Sequence, residues 1–278
     1  ISSDAREQIA TLQAENIKYL EFRGVWGQNV LALPKDKLRE YRRMLDDAGI
    51  RVSAIGSPVG KIKISEPFEP ELERFKHSLD VADLMGAQYV RIFSYYLPKG
   101  DDPAKYRDEV LRRMKAKVDA GQGAPFTLFN ENESELYGQA PERCLEIIEH
   151  CGGRKRLIQC FDPANFVVQR IDPLKAWVIL KDVTGYFHIK DWTLPPNAHS
   201  APAGEGDGRI PEILRDAVLN HGYDGFLSLE PHLSSGGQFS GFSGPDNYRR
   251  AAQALKKIIE GFRSEERRVG KECRSRWS

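Results

Sequence analysis

Short runs of β-branched and aromatic residues alternate with amphipathic segments along almost the whole chain, and this alternation restricts the possible folds most strongly. Seven runs have the length and composition of buried strands, at residues 17–22, 51–56, 88–93, 126–131, 156–161, 185–190 and 226–230. Strands that alternate with helices predict a parallel sheet, because each helix returns the chain to the starting edge of the next strand.

The segments between these runs have the spacing of apolar residues that is typical of helices. In residues 34–49, the side chains of Leu38, Tyr41 and Leu45 fall on one stripe, and Gly49 follows at the position where helices commonly end. Residues 69–86 repeat this pattern. Prolines stand where the first turns of three further helices are expected, at positions 141, 173 and 211.

The chain has eight helix-like segments and only seven complete strands. The first helical segment, residues 4–15, is preceded by residues 1–3 alone, so we expect an eighth strand that is truncated at the N-terminus. The simplest fold is a single (β/α)8 TIM barrel of the α/β class over residues 1–262, with its first strand truncated. An open, doubly wound sheet is the alternative, although no GxGxxG motif follows the first complete strand.

The end of the chain departs from this pattern. Residues 264–278 have no apolar periodicity, and their five basic and three acidic residues give a net charge of +2. We therefore expect residues 263–278 to be a basic tail that is disordered or non-native. The rest of the chain then carries a net charge of −1, because the total is +1. Such a nearly neutral body does not favour a nucleic-acid partner.

Cysteine usage and hydropathy indicate a cytoplasmic protein. The four cysteines form no CxxC pair, and a chain of 278 residues needs no disulfide bonds to stabilise its core, so we expect reduced thiols. No segment approaches the roughly 20 consecutive apolar residues that span a bilayer, so we expect no membrane partner. A homo-oligomer is compatible with this composition, which does not define the oligomeric state.

Four consecutive predicted strands end in a residue of a type that binds metal ions: Glu131, Asp162, His188 and Glu230. The C-terminal ends of the strands of a (β/α)8 barrel meet at one face, where active sites lie. Three carboxylates gathered there repel one another unless a cation neutralises them. Three oxygen ligands and one imidazole suit Mn²⁺, Mg²⁺ or Co²⁺, with Zn²⁺ possible. We expect one divalent ion, Mn²⁺ before the others. Each residue alone would more often be a helix cap or a core residue.

Five motifs resemble, in order and spacing, those of the sugar phosphate isomerase/epimerase superfamily. These xylose isomerase-like TIM barrels also include inosose dehydratases and metal-dependent AP endonucleases. The motifs are ENE at 131–133, FDPANF at 161–166, FHIKD at 187–191, GEGDG at 204–208 and GYDGFLSLEPH at 222–232. The resemblance covers roughly residues 1–262. It implies that the four strand-end residues bind one divalent metal, and that Glu131 and Glu230 also transfer protons on opposite faces of a bound sugar.

The implied chemistry begins with removal of a proton next to a polarised carbonyl group, which gives an enediolate. We expect a metal-dependent isomerase or epimerase of a small, polyhydroxylated sugar or sugar-like hydroxy-carbonyl compound. Elimination of water has the same first step, so a lyase of the inosose or dehydroshikimate dehydratase type is the alternative. A non-catalytic sugar-binding barrel is a third possibility.

Three positions depart from the ketose 3-epimerases of this superfamily. Asn165 replaces a substrate-binding His, Leu194 replaces an Arg, and Tyr137 replaces a Glu. The resemblance therefore does not favour a free-ketose 3-epimerase. It also does not favour DNA repair, because His199 lacks the Asp-x-His partner of the AP endonucleases.

Residues next to the motifs are candidates for substrate binding: Arg23, Trp26, Glu133, Asn165, Lys190, Asp191, Glu205 and His232. Structural roles are equally open for several of them. The alternative for Trp26 is packing in the core, and the alternative for Lys190 and Asp191 is a salt-bridged strand end. Glu205 lies in a glycine-rich segment that lacks the lysine of a P-loop, so we expect a lid or an anion-binding loop there and no nucleotide site.

Overall fold

The computed structural model describes residues 1–233, 243–269 and 276–277, and within them the side chains up to residue 262. The chain forms a parallel sheet that curves into a nearly closed barrel with helices outside it, so the predicted TIM barrel is confirmed. The strands are β1 (Tyr19–Phe22), β2 (Arg51–Ile55), β3 (Tyr89–Ile92), β4 (Thr127–Glu131), β5 (Leu157–Phe161), β6 (Thr184–Ile189), β7 (Phe226–Leu229) and β8 (Arg276–Trp277). Their order in the sheet is their order in the chain, and all neighbours are parallel.

The barrel has a seam between β1 and β7. The backbone of β8 pairs with β7 on this side, and among the described residues no ladder joins β1 to β7 or β8. Residues 1–3 form no strand, but the carbonyl oxygens of Ile1 and Ser3 accept hydrogen bonds from the N–H groups of Gly244 and Trp26. The incomplete first strand predicted from the sequence therefore corresponds to an open edge of the barrel.

The helices follow the predicted pattern: α1 (Ala5–Ala14), α2 (Lys35–Asp47), α3 (Phe68–Met85), α4 (Arg107–Ala120), α5 (Pro141–His150), α6 (Pro163–Val168), α7 (Pro173–Leu180), α8 (Ile210–Leu219) and α9 (Gly244–Val269). In α2 the stripe of Leu38, Tyr41 and Leu45 is buried, and α3 ends at Gly86, whose φ of 62° is the left-handed conformation that glycine adopts easily. Helix α9 crosses the predicted domain boundary at residue 262. The rest of the predicted tail, apart from β8, lies outside the described residues.

Two layers of side chains fill the inside of the barrel. The lower layer is aromatic and closes the end at which the strands begin, with Phe129 stacked on Tyr186 at 4.5 Å and Tyr19 edge-on to Phe226 at 4.9 Å. Tyr89 contacts Phe129, Tyr186 and Phe226. Because side chains alternate along a strand, the residue two positions further on points to the same side. In five strands the residue two positions after the aromatic one is polar, so a polar layer lies directly above the aromatic layer.

Two short antiparallel ribbons lie outside the barrel sheet. One pairs Gly24–Val25 with Gln28–Asn29, and the other pairs Asp191–Trp192 with Ser200–Ala201. Each follows the C-terminal end of a barrel strand, so both extend the face on which the candidate site lies. No helix among the described residues is both long and apolar enough to cross a membrane.

The loops after β2 and β3 are joined by backbone hydrogen bonds, and Gly60 lies close to the backbone of Phe93. Its N–H donates to the carboxylate of Glu71, its φ is 92°, and an added Cβ would collide with the carbonyl oxygen of Phe93. Gly27 also has a positive φ, of 71°, but an added Cβ there meets nothing within 4 Å.

We predict that Gly60→Ala destabilises the protein by about 3 kcal/mol or more, because it combines an unfavourable φ with a clash against backbone. Gly27→Ala is the matched control and should cost about 1–2 kcal/mol, the conformational part alone. Urea unfolding followed by circular dichroism measures both. Equal losses for the two variants would contradict the close approach at Gly60.

Candidate metal centre

The four strand-end residues predicted as metal ligands converge at the C-terminal end of the barrel. Glu131 ends β4, Asp162 follows β5 as the N-cap of α6, His188 lies in β6, and Glu230 follows β7. One ligand atom from each lies within 4.8 Å of the ligand atoms of the other three. Three of the side chains are fully buried, whereas that of Glu230 is 21% exposed. This cluster can hold a divalent metal ion.

Both ring nitrogens of His188 lie close to carboxylates. Nε2 lies 2.9 Å from a carboxylate oxygen of Glu21 in β1. Nδ1 lies 3.0 Å from Glu131 and 3.4 Å from Glu230, but it is buried and makes no hydrogen bond. The Oδ2 atom of Asp162 is likewise buried without a hydrogen-bond partner, although the ammonium of Lys190 lies 2.9 Å away. Buried ligand atoms that lack a hydrogen-bond partner and lie within 4.8 Å of one another fit a metal ion.

The charges clustered around these ligands do not cancel. Four carboxylates face two permanent cations: Glu21, Glu131, Asp162 and Glu230 against Arg91 and Lys190. With His188 neutral, four negative and two positive charges leave a net charge of −2. Arg91 lies 3.1 Å from Glu131 and 3.6 Å from Glu21, and Lys190 lies 3.2 Å from Glu230. A divalent cation would neutralise this part of the site.

In the absence of a metal ion, protons reduce the same excess of negative charge. Burial opposes protonation of His188, but the surrounding carboxylates of Glu131 and Glu21 hold its pKa well above the ordinary value. Cys160 is also near, but burial raises the pKa of its thiol to about 12, so it is neutral near pH 7. Burial raises the pKa of Asp162 to about 6 despite the nearby ammonium of Lys190. A metal ion must therefore displace protons from this site.

Arg23, Lys190 and His232, three of the predicted substrate-binding residues, lie close to these ligands. Arg23 is 3.9 Å and His232 is 3.4 Å from the carboxylate of Glu230, with Lys190 on its other side. Arg23, His188, Glu230 and His232 line a cavity of about 110 Å³ at the seam of the barrel. The structure thus brings these three cationic or ionisable side chains to the open side of the cluster.

Glu133 lies at the rim, where its carboxylate forms a salt bridge of 2.8 Å with Lys61 from the loop after β2. Asn165 is buried and donates from its side-chain amide to the carbonyl oxygen of Asn132, at 2.8 Å. Trp26 packs away from the ligands, with its ring against Tyr41. For these predicted substrate-binding residues the observed contacts are structural, and binding of substrate by them stays a prediction.

Asp191 organises the glycine-rich segment that follows it. Its buried carboxylate accepts hydrogen bonds from the backbone N–H groups of Trp192, Gly204, Gly206 and Gly208, at 2.8–3.0 Å. An added Cβ at Gly206 would lie 2.5 Å from Asp191 Oδ1, so the segment needs glycine to wrap around this carboxylate. Glu205 points away from Asp191 and pairs with Arg250 of α9 at 3.0 Å. A direct role of either residue in substrate binding stays a prediction.

Sequence reasoning missed three residues that organise the centre: Glu21, Arg91 and Asn132. Asn132 accepts from the N–H of Asp162 and donates to its carbonyl oxygen, both at 2.9 Å, so it fixes the backbone of this ligand. A signal for the other two was present, since each is a charged residue in a strand whose neighbours are mostly apolar. A charge at an inward-facing position of a barrel strand requires a partner inside the barrel.

The sequence matches the family described as xylose isomerase-like TIM barrel over residues 9–258. The chain belongs to this family. None of the curated proteins compared with it matches in sequence. A xylose isomerase-like TIM barrel protein from Mycobacterium smegmatis, solved in complex with magnesium, is 21% identical with a TM-score of 0.69, over 92% of this chain and 89% of that one.

Two further solved structures share the fold. An L-ribulose 3-epimerase is 16% identical with a TM-score of 0.73, over 98% of this chain and 95% of that one. The probable 3-DHS dehydratase AsbF from Bacillus anthracis, involved in petrobactin synthesis, is 15% identical with a TM-score of 0.70, over 92% of this chain and 94% of that one. At these identities the likeness shows the barrel fold alone.

We predict that binding of Mn²⁺ to this xylose isomerase-like barrel releases about one proton near pH 7, because His188 is protonated when no metal is bound. Affinity should rise about tenfold per pH unit until the pH passes the raised pKa of His188. Below pH 6 the rise should be steeper, because Asp162 must also lose a proton. Titration calorimetry in buffers of different ionisation enthalpy measures the release.

The control for this measurement is His221→Gln. His221 lies 3.3 Å from Asp216 in α8, outside the ligand cluster, and its replacement should leave the pH dependence unchanged. Metal binding that releases no proton at pH 7 and does not vary with pH would show that His188 is already neutral in the metal-free protein.

Proposed function

We propose that this protein is a divalent-metal-dependent isomerase or epimerase of a small sugar or sugar-like hydroxy-carbonyl compound, acting by proton transfer through an enediolate. The observation that carries the proposal is the convergence of three carboxylates and one imidazole within 4.8 Å at the open end of the barrel. Membership of the xylose isomerase-like family and the uncompensated buried charge support the same conclusion.

Glu131, Asp162, His188 and Glu230 would hold the ion, for which we propose Mn²⁺ because the set has three hard oxygen donors and one nitrogen donor. When bound, a divalent ion supplies Lewis acidity that polarises a carbonyl group and a neighbouring hydroxyl group. The protein supplies the orientation, since Asn132 and Glu21 fix the backbone of Asp162 and the ring of His188.

We assign proton transfer to Glu230 and Glu131. Glu230 is partly exposed and lines the cavity, so it can reach a carbon-bound proton on the open side of the substrate. Glu131 is 2% exposed, and Arg91 holds one of its oxygens while the other faces His188. Glu131 is therefore positioned to exchange a proton on the opposite face of the substrate, which would lie towards the inside of the barrel. Lys190, 3.2 Å from Glu230, can stabilise negative charge on a substrate oxygen.

Dehydration is the second candidate, and the surroundings of Glu230 favour it over a purely binding role. Lys190 and His232 flank this carboxylate at 3.2 and 3.4 Å. After Glu230 has removed a proton, the imidazole of His232 can donate one to a departing hydroxyl group, so that water leaves. The ammonium of Lys190 stays charged, because Asp162 and Glu230 hold its pKa well above the usual value. A barrel that only binds sugars has no requirement for a base and an acid side by side.

We predict that the protein with Mn²⁺ catalyses deuterium uptake from heavy water into one carbon of a substrate from a panel of three- to six-carbon ketoses, their phosphates and inososes. Glu230→Gln should lower the rate by about 10² to 10⁴, because it removes the proton acceptor. Removal of metal by a chelator should abolish exchange. Mass spectrometry identifies the labelled carbon, and loss of one water molecule indicates a lyase.

Glu146→Gln is the matched control. Glu146 pairs with Arg107 and Tyr137 among the outer helices, so its replacement should leave the exchange rate unchanged. Full activity of both Glu131→Gln and Glu230→Gln on a substrate found in the panel would exclude catalysis at this centre.

A further inference from the structure

We propose that Glu21, in strand β1, is a positioning residue that makes His188 bind the metal ion through Nδ1. The inference rests on the proposed metal-dependent function and deepens it, because it concerns how one ligand of that site is prepared. Glu21 is not one of the four residues whose ligand atoms converge. It acts, in this proposal, through the imidazole ring.

The carboxylate of Glu21 is held by three other strands. Its Oε2 atom lies 2.9 Å from Nε2 of His188 in β6, and Ser228 in β7 donates to the same oxygen at 2.9 Å. Its Oε1 atom lies 3.6 Å from the guanidinium of Arg91 in β3. The side chain is 10% exposed. A carboxylate fixed from three directions inside a barrel cannot move away from the ring it contacts.

This contact determines which nitrogen of His188 can bind a cation. A neutral imidazole carries one proton, and a carboxylate beside Nε2 keeps that proton on Nε2. The lone pair is then on Nδ1, which faces Glu131 and Glu230 at 3.0 and 3.4 Å and makes no hydrogen bond. The other tautomer would place a hydrogen atom on Nδ1, at the centre of the ligand cluster, and would block metal binding there.

Glu21 is placed to orient His188 and not to bind the ion beside it. Nε2 and Nδ1 lie on different sides of the imidazole ring, and Glu21 contacts the side that faces away from Glu131 and Glu230. A carboxylate in this position also makes the ring a more basic, and therefore stronger, metal ligand.

The first test compares the affinity of variants for Mn²⁺, measured by calorimetry on chelator-treated protein whose folding is verified by circular dichroism. Glu21→Leu should weaken binding about 10- to 100-fold, the usual effect of losing the partner of a metal-binding histidine. Glu21→Gln keeps an acceptor oxygen and should recover part of this loss. Glu71→Gln is the control: Glu71 is a buried carboxylate on α3 that accepts from Gly60, and its replacement should leave the affinity of folded protein unchanged.

The second test needs no variant. Nitrogen–proton correlation spectra of wild-type protein with ¹⁵N-labelled histidine, recorded with Zn²⁺ as a diamagnetic ion, should show His188 with a proton on Nε2 and the metal on Nδ1. Coordination through Nε2 would overturn the inference even if the variants did not fold.

The outcomes separate this inference from the function on which it rests. Wild-type protein that binds no divalent ion overturns both. Wild-type protein that binds Mn²⁺, with Glu21→Leu binding within twofold of it, overturns the role of Glu21 and leaves the metal-dependent function standing.

Discussion

The alternation of side chains along the barrel strands places a polar, mostly charged layer directly on an aromatic one. Five strands carry the two layers in residues two positions apart: Tyr19 and Glu21, Tyr89 and Arg91, Phe129 and Glu131, Tyr186 and His188, Phe226 and Ser228. The aromatic rings keep water out from below, so the charges above them lie in a medium of low polarity. Each charged group must then be satisfied by its neighbours, and this requirement determines the geometry of the site.

The charges satisfy one another incompletely, and the remaining negative charge can be neutralised by a cation. Arg91 and Lys190 compensate two of the four clustered carboxylates, and the raised pKa of His188 favours its protonated form when no cation is present. A divalent ion and protons therefore compete for the same place, which links metal affinity to pH. The partly exposed side of the cluster, at Glu230, is where a substrate can approach, and the cationic groups of Arg23 and Lys190 lie beside it.

Several residues of the sequence motifs hold the backbone around the site in place and do not contribute a ligand atom to the cluster. Asp191 follows a predicted ligand by three residues, yet its carboxylate accepts four backbone N–H groups and shapes a loop. Asn165 and Asn132 tie the ends of β4 and β5 together. From the sequence alone Asp191 and Asn165 are candidates for substrate binding, because a polar residue next to a ligand is compatible with either role until its partners are known.

The sequence by itself determined the barrel, the seven complete strands and the four candidate ligands. These follow from local periodicity and from the rule that strand ends meet at one face, neither of which needs distant contacts. Only the tertiary structure decided that Glu21 contacts His188, that Arg91 lies among the carboxylates, and that Asp191 holds a loop. Those roles depend on which atoms meet across strands as far apart as residues 21 and 188, and spacing along the chain contains no such information.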